Sequence, residues 1–436
     1  MGTIAHIGAA MQHVLGDFAK KKGYETGFMQ RQGKLDGGTF VQALVFGSMD
    51  NPDLSYTSLS QAAQAVGVTI SPQGLEQRFT PAATLLMAEV LQEMVKQVIS
   101  GRPTRIQILQ RFSGVYLRDG TVISLPDAWC EQWPGVGSQE GGSAGLKLHV
   151  GLDYSSGQVQ GPVITNARTH DSQSPFQSGG VPAGGLKIAD LGFYDLDQFA
   201  NDQDAGIFWL SRCKVGTVIL NLGGDRIDLL QLLQGADYLD EPILLGNARR
   251  IPCRLLAQRV PQEVADQRRQ KLHEYAVRKQ VAVSPLTLAL AEWTLLVTNV
   301  PPELLSLKEA LILYGVRWQI ELLFKLWKQH AKIDEWRSHN LDRILCEVYA
   351  KLIAVLILHW NFVLSFWAFP AHSLFKAAKV VQGLALLLAA TLGDAQLLEK
   401  TLQILQNRLQ TGCLLNSRRK KPNTYQLLLA LNSLPA

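Results

Sequence analysis

The sequence predicts an α/β protein: a mixed-sheet core interrupted by a β-rich insertion, with helical N-terminal and C-terminal regions. Three observations carry this. The hydrophobic period changes from helical to alternating near residue 112. Strand-like runs and helix-like runs then alternate up to about residue 213, as in a mixed α/β layer. A second strand-rich stretch fills 214–300 before the chain turns helical again from about 306. The 436 residues suit two or three domains. With 47% hydrophobic and 18% charged residues the chain can bury a large core, which excludes a disordered or low-complexity protein.

Residues 1–110 read as helical. Within them Ser58 to Phe79, SLSQAAQAVGVTISPQGLEQRF, has the spacing of a helix-turn-helix. Ser58 or Ser60 is the expected cap of its first helix, Gly67 the turn, and Ser71-Pro72 the start of the second. An ordinary helical hairpin fits the same pattern. The run Lys20, Lys21, Lys22 reads as a solvated patch.

Residues 111–213 contain the strand candidates GVYLRDGTVISLP, LKLHVGLDY, QVQGPVITN, LKIADLG and GIFWLSRCK, with a helix over FYDLDQFANDQD. Ser155-Ser156-Gly157 links the second and third as a hairpin. In 214–300 the strands VGTVILNL, PILLGNARRIPCRLLAQRV and EWTLLVTNVP surround a charged helical stretch, QEVADQRRQKLHEYAVRKQ. Between Leu245 and Lys279 nine Lys/Arg face three Asp/Glu, a local excess above the whole chain's +5. Residues 301–370 read as helical, and 371–436 as a C-terminal helical region with the basic tail Arg418, Arg419, Lys420, Lys421.

Several classes are disfavoured. The five cysteines show no C-x-x-C pair, so neither a zinc site nor a disulfide framework is expected, and a reducing compartment fits better. The N-terminus has no continuous apolar core, so no signal peptide is expected. Leu352 to Phe369 is 18 mostly apolar residues, about the minimum for a membrane span. His359 and Asn361 at its middle favour a buried helix instead. The Gly-rich stretch Val136 to Gly145 lacks a Walker Lys-Ser/Thr end, so no nucleotide site is expected.

The most informative stretch is YGVRWQIELLFKLWKQHAKIDEWRSHN. As one helix at 100° per residue, Tyr314, Arg317, Glu321, Lys325 and Lys328 lie within about 80° of one another, opposite Ile320, Leu323, Phe324 and Trp327. A solvated face with i,i+4 ion pairs is the plain reading. Tyr314, Trp318 and Trp327 beside the cations point instead to phosphate and base contact.

Tyr314, Arg317, Glu321 and Lys328 stand at successive gaps of 3, 4 and 7 positions. This resembles the Tyr-Arg-Glu-Lys motif of the DDE transposases of the insertion-sequence-four family. The resemblance extends upstream to two Asp motifs and covers about 112–360. It implies an RNase H-like core, in which carboxylates from the first strand, the fourth strand and a later helix hold two Mg²⁺ ions, with Mn²⁺ as a substitute. Oxygen donors suit such ions, and a pair of them can activate a nucleophile and stabilise a leaving oxyanion.

Asp119 is the first expected ligand. Asp119-Gly120 between alternating runs is also a hairpin-turn signal, but Thr121 and Leu125-Pro126 complete the family pattern, and Asp127 reads as a loop residue. Asp190, at the end of a short apolar strand, is the second, and a helix cap is its competing reading. Asp195 and Asp197 read as helix-face residues, and Asp171 as loop material able to support the site. Glu321 is the third ligand. Tyr314, Arg317 and Lys328, assisted by Lys325, are the expected phosphate-binding residues. Trp293 stands where the family places an aromatic that stacks on a flipped base, and a strand-core role fits it equally. Arg249, Arg250, Arg254 and Arg259 are candidates to line a DNA path.

The resemblance implies a bacterial cytoplasmic, nucleoid-associated transposase with no membrane or nucleotide partner. It would cleave double-stranded DNA at the terminal repeats of its element through a hairpin intermediate and join the ends to target DNA. A homodimer would act in the synaptic complex. A metal-dependent nuclease without strand transfer and an inactive DNA-binding relic are the alternatives.

Overall fold

The computed structural model describes residues 4–31, 33–137, 142–368, 371–416 and 422–431. The basic run Arg418–Lys421 and much of the Gly-rich stretch therefore lie outside the described residues.

In chain order the helices used below are α1 (Gly37–Asp50), α2 (Tyr56–Ala65), α3 (Pro72–Glu76) and α4 (Pro81–Lys96). Strands β1 (Val115–Leu125), β2 (Ala144–Asp153), β3 (Val159–Asn166) and β4 (Leu186–Ala189) follow, then α5 (Leu196–Asp204) and β5 (Phe208–Arg212). The stretch 214–300 adds β6 (Ile219–Leu220), β7 (Tyr238–Leu245), β8 (Ile251–Arg259), α6 (Gln262–Lys279) and β9 (Trp293–Thr298). Next come α7 (Leu307–Tyr314), α8 (Trp318–Gln329), α9 (Leu341–Phe366) and α10 (Ala395–Gly412).

The fold is mixed α/β with an RNase H-like core. Its nine strands run β3-β2-β1-β4-β5-β9-β8-β7-β6. β1 pairs with β4 and β4 with β5 in parallel, while β2–β3, β5–β9, β6–β7, β7–β8 and β8–β9 are antiparallel. The β-rich insertion continues this sheet, because β9 returns to pair with β5 from Leu210↔Thr298 to Arg212↔Leu296. Of the expected strand VGTVILNL only Ile219 and Leu220 are a strand. β1 runs unbroken through Asp119-Gly120, so the hairpin-turn alternative is excluded: the dipeptide continues a strand whose preceding residues, Val115 to Arg118, are paired in parallel with β4.

The chain divides into two compact units, each gathered from distant segments. The first takes 1–105, 120–168 and 319–425. Its centre is α9, which packs against α4, α1 and α10. Leu352, Ile353, Val355, Ile357 and Trp360 are all buried there, so the apolar run serves a protein core. Two of its polar side chains are tied to backbone: His359 Nε2–H donates to Gly157 O at 2.7 Å, and Asn361 Nδ2 donates to Ile357 O at 2.8 Å. Among the described residues no single helix is long and apolar enough to cross a membrane. Gly157, in the β2–β3 turn, has φ +77°, and a Cβ there would stand 2.4 Å from the Trp367 ring. Only glycine satisfies both the left-handed backbone and that approach.

In the helix-turn-helix candidate, Ser71-Pro72 opens α3 as expected, with Ser71 capping Gly74 N. The cap of α2 is Ser55 rather than Ser58 or Ser60. Ser58 is the third helical residue and completes the capping box, while Ser60 Oγ bonds Ile70 O across the turn.

The second unit takes 106–119, 169–318 and 426–436. Phe199 stacks on Trp209 at 4.4 Å in a core completed by Ile243, Leu245, Leu255, Trp293 and Val297. Lys187 of β4 is buried with Asp202 of α5 at 2.7 Å, and burial holds its ammonium below the usual lysine range.

Candidate active site

In the second unit, parallel pairing sets the residues. Arg118 faces Ala189 across β1–β4, so Asp119 and Asp190 follow side by side at the next level. Ile188 faces Leu210 across β4–β5, which brings Arg212 to the level of Asp190. Asp190 is still extended, with ψ −178°. Neighbouring strands lie about 4.8 Å apart and paired positions share a face. Asp119, Asp190 and Arg212 thus form a row at the carboxyl ends of β4 and β5, the side on which ligands of α/β sheets collect.

Asp190 Oδ1 accepts from Gly192 N at 2.9 Å and so caps a short 3₁₀ turn. The helix-cap alternative describes this bond correctly, and it occupies one oxygen. A Cβ on Gly192 would stand 2.6 Å from Asp171 Oδ2 and 3.0 Å from Asp190 Oδ1. Two carboxylates therefore flank Gly192, and glycine is the side chain that leaves room for both.

Tyr314 ends α7 and Arg317 lies in a 3₁₀ turn, Gly315–Arg317. The expected single helix from Tyr314 onward is interrupted there: a 3₁₀ turn advances about 120° per residue, so Tyr314 and Arg317 leave the common stripe. Burial pushes the Tyr314 phenol up, the Arg317 and Arg212 guanidinium groups pull it back, and Asp190 adds to the rise. These four groups share one electrostatic neighbourhood within this unit. Arg212, which sequence reading did not single out, is exposed and is a natural phosphate contact. Its only signal was the end of GIFWLSRCK. Its place beside Asp190 follows from strand register, which no local pattern reveals.

In the first unit α8 carries Glu321, Lys325 and Lys328 on one face at i, i+4 and i+7. Ile320, Leu323, Phe324 and Trp327 are buried on the other, as the periodicity predicts. Lys325 is exposed and Trp318 is 44% exposed. Lys328 Nζ donates to Val122 O of β1 at 2.9 Å and stands 3.8 Å from Asp334.

Two expectations for the insertion change. Trp293 is 5% exposed and belongs to the core of the second unit, with the Arg259 guanidinium 5.0 Å over its ring. Its strand-core reading describes the position, and its face is not offered to a base. Of the four arginines assigned to a DNA path, Arg254 is buried and structural, donating to Asp240, Val300 O and Leu305 O. Arg249 is paired to Asp197 at 2.5 Å. Arg254 thus serves the fold of the insertion, while Arg250 and Arg259 remain exposed.

Among the described residues, no three His, Cys, Asp or Glu groups stand close enough to hold a metal on their own. The carboxylates nearest the strand row, Asp190 and Asp171 on either side of Gly192 and Asp119 level with Asp190, offer oxygen only. That chemistry suits Mg²⁺, which keeps several of its own waters and needs few protein ligands.

The transposase DDE domain profile matches residues 110–357. The chain is 26% identical over 372 residues to the transposase of insertion sequence element IS231C from Bacillus thuringiensis subsp. berliner, covering 79% of this chain and 77% of the relative. It is 25% identical over 455 residues to that of IS231F from subsp. israelensis, covering 96% and 93%. A match to the transposase of IS1151 from Clostridium perfringens is 23% identical over 356 residues, covering 76% and 74%. The profile spans more than half of the chain and takes in Asp119, Asp190, Tyr314, Arg317 and the glutamate helix, and on that ground the protein belongs to the transposase DDE domain family.

Proposed function

We propose that this protein is a metal-dependent DNA transposase that cleaves at the terminal repeats of its insertion element and joins the ends to target DNA. The observation that carries this is the register of the parallel strands β1 and β4, which sets Asp119 beside Asp190 inside the matched domain. Asp119, Asp190 and Glu321 are the residues that would hold divalent ions, Mg²⁺ or Mn²⁺. Such ions supply a low-pKa water and charge at the leaving oxygen. The chain's own groups then bind and orient the DNA. Arg212 and Arg317 neutralise phosphate oxygens near the two aspartates, Tyr314 donates from its phenol, and Lys328 and Lys325 extend the cationic face along α8. Each phosphate neutralised steepens the salt dependence by about 0.9 in log–log slope. A synaptic homodimer on paired ends, working where the bacterial nucleoid lies, completes the reading.

The test is strand transfer: pre-cut element ends and a supercoiled target, with and without Mg²⁺. Joined products that disappear in Asp119→Asn and Asp190→Asn support the proposal. Cleavage of the flanking DNA without joining identifies a nuclease. End binding with neither activity identifies a DNA-binding relic.

A further inference from the structure

The loop that follows α8 is fixed by an unusual set of bonds within the first unit. Lys332 adopts the left-handed region at φ 47°, which a non-glycine residue enters at a cost. Its ammonium pairs with Asp53 at 2.6 Å and with Glu335 at 3.5 Å. The buried Lys351 of α9 donates to the carbonyls of Lys332 (3.1 Å) and Glu335 (2.7 Å), capping the loop from beneath. Ile333 between them is fully buried. The same loop carries Asp334, the acidic neighbour of Lys328. Asp53 lies two residues before Ser55, the cap of α2. The adjacent Leu54 carbonyl accepts from Arg343 of α9 at 2.7 Å, and that guanidinium lies 3.8 Å over the Tyr56 ring. The start of α2 is thus rigidly held and serves as an anchor for the loop.

We propose that Asp53 is a positioning residue: its ion pair with Lys332 sets the loop after α8, and through Asp334 sets where the Lys328 ammonium meets a DNA phosphate. This rests on the reading of Lys328 as a phosphate contact. The alternative role, a partly exposed ion pair, contributes weakly to stability and nothing else.

The two roles predict opposite signs. Removing a carboxylate from a surface near DNA strengthens binding to a polyanion, whereas loss of a positioning residue weakens it. The full-length chain is titrated against a labelled duplex from the DNA flanking its coding region, at several KCl concentrations. Lys328→Gln flattens the salt slope by about 0.9. Asp53→Asn is expected to weaken binding three- to tenfold and flatten the slope similarly. It should add nothing in a Lys328→Gln background, the signature of two residues acting as one unit. Asp53→Glu retains binding, and Lys332→Gln, which breaks the pair from the other side, reproduces the non-additivity should Asp53→Asn fold poorly. Unchanged or tighter binding by Asp53→Asn, or a further loss in the double variant equal to the loss in the single, overturns the positioning role. If Lys328→Gln itself leaves the slope unchanged, the phosphate assignment has failed and the inference falls with it.

Discussion

At the scale of single residues, the site depends on small clearances. Gly192 is the sharpest case, because any Cβ there meets two carboxylates at once. Under the proposed function, Gly192→Ala displaces Asp190 and lowers DNA cleavage on the order of 100-fold, the cost of a misplacement of about 1 Å. Its thermal midpoint should change little, so parallel cleavage and melting measurements separate the two effects. His359 makes a different prediction. Burial depresses its pKa from 6.5 to about 4, while the bond to Gly157 O opposes the shift. The folded state holds the ring neutral where the unfolded chain would take up a proton. The contribution is therefore complete above pH 6.5 and lost progressively as the pH falls toward 4, amounting to about 3 kcal/mol. Urea unfolding across that window should show a steeper acid loss for the native chain than for His359→Gln.

At the scale of secondary-structure elements, α9 holds an ionic pair inside a core. Arg343 Nε donates to Glu347 Oε1 at 2.6 Å with both side chains buried. Burial pushes the Glu347 carboxyl up, against the pull of Arg343. Arg343→Met leaves that carboxylate without its cation and is expected to cost about 3–5 kcal/mol, whereas Arg343→Met with Glu347→Leu recovers most of it. Denaturant midpoints of the single and double variants check this. Most elements were legible in the sequence, because strand alternation and helix periodicity are local. The failures share a cause: tertiary partners overrode local preference. Asp119-Gly120 has turn chemistry but lies inside the continuous strand β1, whose preceding residues pair with β4. The predicted strand VGTVILNL shrinks to two residues, and the expected helix through Tyr314 is broken by a 3₁₀ turn.

At the scale of the molecule, the sheet binds the insertion to the core, and burial governs the thiols. Cys213, Cys253, Cys346 and Cys413 are buried, and Cys130 is only partly so. Loss of hydration pushes the Cys213 thiol up to about 12, and Cys253 and Cys346 in the same direction. Thiolate is the reactive form. A chromogenic disulfide reagent should therefore modify Cys130 rapidly in the native protein, and all five cysteines only after unfolding. Rapid native reaction of more than one thiol would show that the cores are looser than described.

The sequence by itself determined the types and order of most elements, the apolar faces of α8 and α9, and the spacing of Tyr314, Arg317, Glu321 and Lys328, since each depends on neighbours within a few turns. Only the tertiary structure decided that Asp119, Asp190 and Arg212 stand level across three strands, that Trp293 and Arg254 are committed to the insertion's own core, and that Asp53 reaches Lys332. Those placements depend on strand register and on packing between segments tens to hundreds of residues apart, where a shift of one position turns every side chain to the opposite face.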